Sequence, residues 1–153
     1  MRSTDTRESG AGGFSEQERA AMKVRAAELK EEASRGRGSK KASAELDVLS
    51  TIAAMDPADR TVAERIHVIV TSNASDLAPK LWYGQPAYAT QKGKVVCFFR
   101  SGQVDKERYS TFGFTTEARL DDATGLWATS FAITELTDDA ERAISDLVKK
   151  AVA

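Results

Sequence analysis

Between residues 80 and 114 the chain alternates four short runs of aromatic and β-branched residues with breaks rich in glycine and proline. The runs are Lys80-Leu81-Trp82-Tyr83, Ala87-Tyr88-Ala89-Thr90, Val95-Val96-Cys97-Phe98-Phe99-Arg100 and Tyr109-Ser110-Thr111-Phe112-Gly113-Phe114. Gly84-Gln85-Pro86, Lys92-Gly93-Lys94 and Ser101-Gly102-Gln103 separate them. Such runs read as strands, and connections this short join antiparallel neighbours, because a parallel pair needs a crossover of a dozen residues or more. Trp127-Ala128-Thr129-Ser130-Phe131-Ala132-Ile133 supplies a fifth strand.

Helical patterns flank the strands. Leu46, Leu49, Ile52 and Ala53 recur at helical spacing through about residue 54. Asp56-Pro57 restarts a helix, an N-cap acceptor followed by proline in the first turn, with Val62, Ile66, Ile69 and Val70 as its buried stripe and a stop near Asn73. After the strands, Thr137 caps a helix whose stripe is Ala140, Ile144, Leu147, Val148 and Ala151. Asp138 and Asp139 near its start and Lys149 and Lys150 near its end complement the helix dipole. This order predicts an α+β domain over residues 42–153. It is a two-layer sandwich, an antiparallel sheet of about five strands packed by helices on one face.

Residues 1–41 have a different character. They carry ten Lys/Arg and seven Asp/Glu, a net of +3, whereas residues 42–153 carry twelve and sixteen, a net of −4. Residues 1–13 show no apolar periodicity and read as a disordered tail. Phe14-Ser15-Glu16-Gln17-Glu18 reads as a capping box with a staple. The helix that follows, about 16–34, has only Ala21, Met22, Ala26, Leu29 and Ala33 as a thin stripe, so it docks loosely or stands free. Ser34-Arg35-Gly36-Arg37-Gly38-Ser39-Lys40-Lys41 reads as a flexible basic linker.

Composition removes several function classes. No apolar run approaches the roughly 20 residues of a membrane span. The polar start lacks the apolar core of a signal peptide, which argues for the cytoplasm. The single cysteine, Cys97, forms no intrachain disulfide, and its apolar run reads as a strand that keeps the thiol buried and inert. The single histidine, His67, reads as a partly exposed residue on the flank of its helix. Nucleophilic catalysis needs a nucleophile and a base, and no such constellation is visible. The expectation is a non-enzymatic protein.

Three groups of residues offer other chemistry. Asp121, Asp122, Asp138 and Asp139 belong to an acidic stretch whose oxygens suit a hard cation such as iron, although helix starts and loops are commonly acidic for solubility. Arg35, Arg37, Lys40 and Lys41 could follow nucleic-acid phosphates. The acidity of the rest of the chain opposes this, so nucleic acid ranks lower. Trp82, Tyr83, Gly84, Pro86 and Tyr88 form the most distinctive group. Alternation puts Trp82 and Tyr83 on opposite sheet faces, so one of them points away from the helices. Either these aromatics close the sheet's edge and core, or they line a cleft for a planar ligand, a partner or a homodimer contact.

At Tyr83-Gly84-Gln85-Pro86-Ala87-Tyr88 the chain resembles the YdhG-like family, a bacterial domain that includes frataxin-like iron chaperones. The resemblance continues in Gly93-Lys94-Val95-Val96-Cys97-Phe98-Phe99, in the closing helix with Ile144, Leu147, Val148, Lys149 and Lys150, and in the helix with Glu64, Ile66 and Ile69. It covers about residues 60–150 and implies a compact sandwich with flanking helices. For the frataxin-like members it implies iron binding and delivery to iron–sulfur or haem assembly proteins. No ligand is carried over residue by residue, because the matching positions are aromatic, glycine and proline.

Overall fold

Each aromatic run becomes a strand, and the strands lie side by side in chain order. A computed structural model of the protein describes residues 16–35 and 39–153. Its elements are α1 (Glu16–Arg35), α2 (Ser39–Ala53), α3 (Pro57–Asn73), β1 (Ala78–Trp82), β2 (Gln85–Ala89) and β3 (Val95–Arg100), then α4 (Gly102–Asp105), β4 (Ser110–Phe114), β5 (Ser130–Ile133) and α5 (Asp138–Val152). The sheet order is β1-β2-β3-β4-β5, antiparallel throughout. The α+β expectation holds. No helix among the described residues is long and apolar enough to cross a membrane.

One face of the sheet carries the main core. Cross-strand register aligns Tyr88 with Cys97 and Phe114, and Phe99 with Phe112 and Phe131. Against this face pack Val48 and Ile52 of α2, Ile66 and Val70 of α3, and Ile144 and Val148 of α5. Thr137 caps α5, its hydroxyl accepting from Ala140 N at 3.1 Å. Asp56 stands at the N-cap of α3 but makes no side-chain capping bond. Proline in the first turn already lacks one of the N–H groups a cap would satisfy. A register shift at Tyr88/Ala89 pairs Ala89 with Val95, which leaves Val96 in the main core and turns Val95 to the opposite face.

The N-terminal region differs from its sequence reading. Five of the eight residues read as a flexible linker are helical, because α1 runs to Arg35 and α2 already begins at Ser39. Lys40 and Lys41 therefore open a helix, and Ala42 is buried. The tail, Phe14, Ser15 and residues 36–38, Arg37 among them, lie outside the described residues. Helix α1 is docked. Leu29 is buried, Met22 and Ala26 are half-buried, and α1 packs along α2. Ion pairs supply what the thin stripe lacks: Arg19 to Glu64 at 3.4 Å, Arg25 to Glu45 at 3.0 Å and Glu18 to Arg65 at 3.0 Å. Arg65 also reaches Glu141 of α5 at 3.2 Å.

An aromatic platform on the open sheet face

The face turned away from the helices carries small residues, two large rings and the longer polar side chains of Lys80, Gln85 and Arg100. Register places Lys80 opposite Ala87, Ala87 opposite Phe98, and Phe98 opposite Gly113. Gly113 and Thr111 in turn face Ser130 and Ala132. Trp82 and Phe98 pack over Ala87, Ala89 and Val95 as a second, smaller apolar cluster, their ring centroids 5.1 Å apart. The Phe98 ring fills the space a Cβ on Gly113 would take, so glycine is what lets this ring lie down on the sheet.

The β1–β2 turn corrects the sequence reading. Trp82 pairs with Gln85, so the loop is the dipeptide Tyr83-Gly84, while Gln85 and Pro86 already belong to β2. Both loop residues have positive φ, 53° and 79°, as a type I′ hairpin turn requires. Gly84 takes this conformation freely. Tyr83 does not, since a bulky L residue in the left-handed region is held there at a cost of about 1–2 kcal/mol. Tyr83 is nonetheless 83% exposed, its ring resting edge-on against Trp82 at 5.0 Å. A ring that exposed stands at the tip of the hairpin.

The remaining members of the aromatic group turn the other way. A two-residue loop puts Tyr88 on the face opposite Trp82, where it is fully buried, and Pro86 is buried as well. Tyr88 Oη lies 2.9 Å from His67 Nδ1. His67 is therefore a core residue, only 2% exposed, and the surface histidine read from the sequence is corrected. Burial holds its imidazole down at about 4, against a smaller opposing pull from the Glu45 carboxylate. Burial also pushes the neighbouring Cys97 thiol up to about 12, which keeps it protonated as expected for a buried strand cysteine. A neutral imidazole, a phenol and a thiol in a closed core have no route to a substrate.

A dense polar cluster lies elsewhere. The Asp59 carboxylate accepts from the Ser101 hydroxyl, from Gln103 N at 3.1 Å and from the Ser110 hydroxyl at 3.1 Å. Ser110 Oγ accepts from Gly102 N at 2.9 Å, and Gln85 Oε1 accepts from Ser101 N at 3.2 Å. This network ties α3 to the β3–β4 connection. No local pattern signals it, because Asp59 and Gln85 lie far in the chain from Ser101, Gln103 and Ser110.

The four aspartates are not brought together. Arg119 N donates to Ala151 O at 3.0 Å, so the segment that continues to Asp121 and Asp122 starts at the C-terminal end of α5. Asp138 and Asp139 form its first turn, and a helix of this length spans about 22 Å. Asp122 is held by Thr124, which donates through N at 3.0 Å and Oγ1 at 2.5 Å and lowers its carboxyl, while Asp139 pairs with Arg142. Among the described residues no three His, Cys, Asp or Glu side chains group as a metal site. Lys40 and Lys41 are helical, not part of an extended arm, and Lys41 Nζ reaches Gln91 at 3.5 Å.

No family model, curated protein or solved structure matches the chain. The YdhG-like resemblance therefore rests on the residues quoted for it.

Proposed function

We propose that this protein is a cytoplasmic binding module that engages a protein partner through Tyr83, Trp82 and Phe98. The observation that carries the reading is Tyr83, an aromatic side chain held in a left-handed turn and almost fully exposed. Strain kept at an exposed position points to use of that position, because asparagine or glycine would satisfy the turn at lower cost. Tyrosine and tryptophan are also among the residue types that dominate interface energetics. An exposed tip beside a flat sheet face suits a protein surface better than a small molecule, which needs enclosure. Iron delivery draws no support from the spread of Asp121, Asp122, Asp138 and Asp139.

A photo-crosslinking side chain placed at position 83 or 98 tests this in cells. The expected result is the same discrete adduct from both positions, lost when Trp82→Ala is added. Labelling no stronger than from a control at Lys149, on the exposed side of α5, would overturn the reading.

A further inference from the structure

The sheet has two edge strands, and they are built differently. β1 carries Pro79 and Lys80, both of which discourage strand addition. It packs along α2, and none of its residues is fully exposed. β5 has neither protection. From Ala123 to Thr134 the chain has no charged residue. Ser130 and Ala132 are exposed, and just before the strand Leu126 is 82% and Trp127 40% exposed.

Backbone direction on β5 follows from one bond. Phe114 N donates to Thr129 O at 2.7 Å, so Thr129 faces β4. Alternation along an antiparallel strand then directs Phe131 and Ile133 to β4 as well, and turns the N–H and C=O groups of Ser130 and Ala132 outward. Among the described residues no backbone bond from outside the ladder reaches them. An uncharged, unpaired edge with large apolar side chains beside it is a template for another strand.

We infer that a second copy of this chain pairs with β5, edge to edge and antiparallel, joining two five-stranded sheets into one. A two-fold axis sets the strand against its own reverse, so the partner must tolerate itself, and a segment without charge places no like charges across the axis. Leu126 and Trp127 add apolar burial to a ladder that four residues alone would leave thin. Because β1 is guarded, the assembly closes at two copies instead of growing into a fibre. The contact uses none of the residues assigned to partner binding, and it leaves the Trp82–Phe98 platform of each copy open.

Sedimentation velocity on the full chain tests this. The wild type is expected to sediment as a dimer, at twice its 16.6 kDa. Ala132→Pro removes only an outward N–H and leaves the ladder to β4 intact. Ala132→Lys, at an exposed site, sets two cations across the axis. Each should weaken the dimer about tenfold or more, with circular dichroism and the urea midpoint of the monomer unchanged. Trp82→Ala should leave it dimeric. A wild type that is monomeric at every soluble concentration, or a dimer that survives both Ala132 variants, overturns the inference. So does a dimer lost with Trp82→Ala alone, which would place the contact on the open face.

Discussion

Tyr88 and His67 meet at 2.9 Å between a strand and a helix, and both are sealed from water. The imidazole, ordinarily near 6.5, titrates at about 4 in the folded chain. Between these values the unfolded state binds a proton that the native state refuses. Stability from this site is thus fully present above about pH 6.5 and lost as the pH falls toward 4, on the order of 3 kcal/mol in all. Urea unfolding across this window should show the loss in the wild type. His67→Gln, which keeps a polar partner for the phenol, should flatten the slope by that amount. Parallel profiles for the two proteins would show that His67 is not the titrating group.

Tyr83→Asn gives the turn a residue that accepts positive φ readily. The urea midpoint should not fall, and stability should rise by up to about 1 kcal/mol, since the relief of strain exceeds the lost edge contact with Trp82. Crosslinking from position 98 should vanish in the same variant. A protein both stabler and still fully competent to crosslink would remove Tyr83 from the contact.

Gly113→Ala places a methyl group where the Phe98 ring lies. The ring must lift off the open face, at about 1–3 kcal/mol. The main core on the other side of the sheet is untouched. Amide shifts in an NMR comparison should concentrate on Trp82, Ala87 and Phe98, with Tyr88 and Phe112 unmoved. Shifts spread through the helices would mean that the two faces are coupled.

Glu64 is buried on α3, and Arg19 of α1 is its ion-pair partner. Arg19→Ala leaves the carboxylate short of its compensation and should cost about 1–3 kcal/mol in urea unfolding. Adding Glu64→Met should recover most of that loss, because an apolar side chain needs no partner. A double variant no stabler than Arg19→Ala would mean that α1 docks by other contacts.

How much of this was legible depended on where each signal resides. The run from Val95 to Arg100 became a strand with those bounds, because an apolar stretch between Gly93-Lys94 and Ser101-Gly102 leaves no other reading. Thr137 likewise marked the start of α5. The faces of β2 were not legible. They depend on whether the turn holds two residues or three, and tyrosine is not the residue propensity puts at positive φ. Trp82 and Tyr83 stand out in the sequence, but the face of Tyr88 depends on that parity. The burial of His67 and Glu64 is hidden from the sequence for a different reason. Burial on their side of α3 comes from partners distant in sequence, Tyr88 and Arg19. The basic stretch 34–41 mixes glycines with good helix formers, and local composition did not separate the turn from the two helix ends.

The order of strands in the sheet has a consequence for synthesis. Since every strand pairs with its neighbour in the chain, each hairpin can close as soon as it leaves the ribosome, without waiting for distant sequence. Helix α5 is different, for it follows all five strands in the chain and carries Ile144, Val148 and Ala151 onto the core face. Until then a nascent chain displays a zipped sheet with Phe112 and Phe114 short of their cover. That interval, and not strand pairing, is when the chain most needs a chaperone.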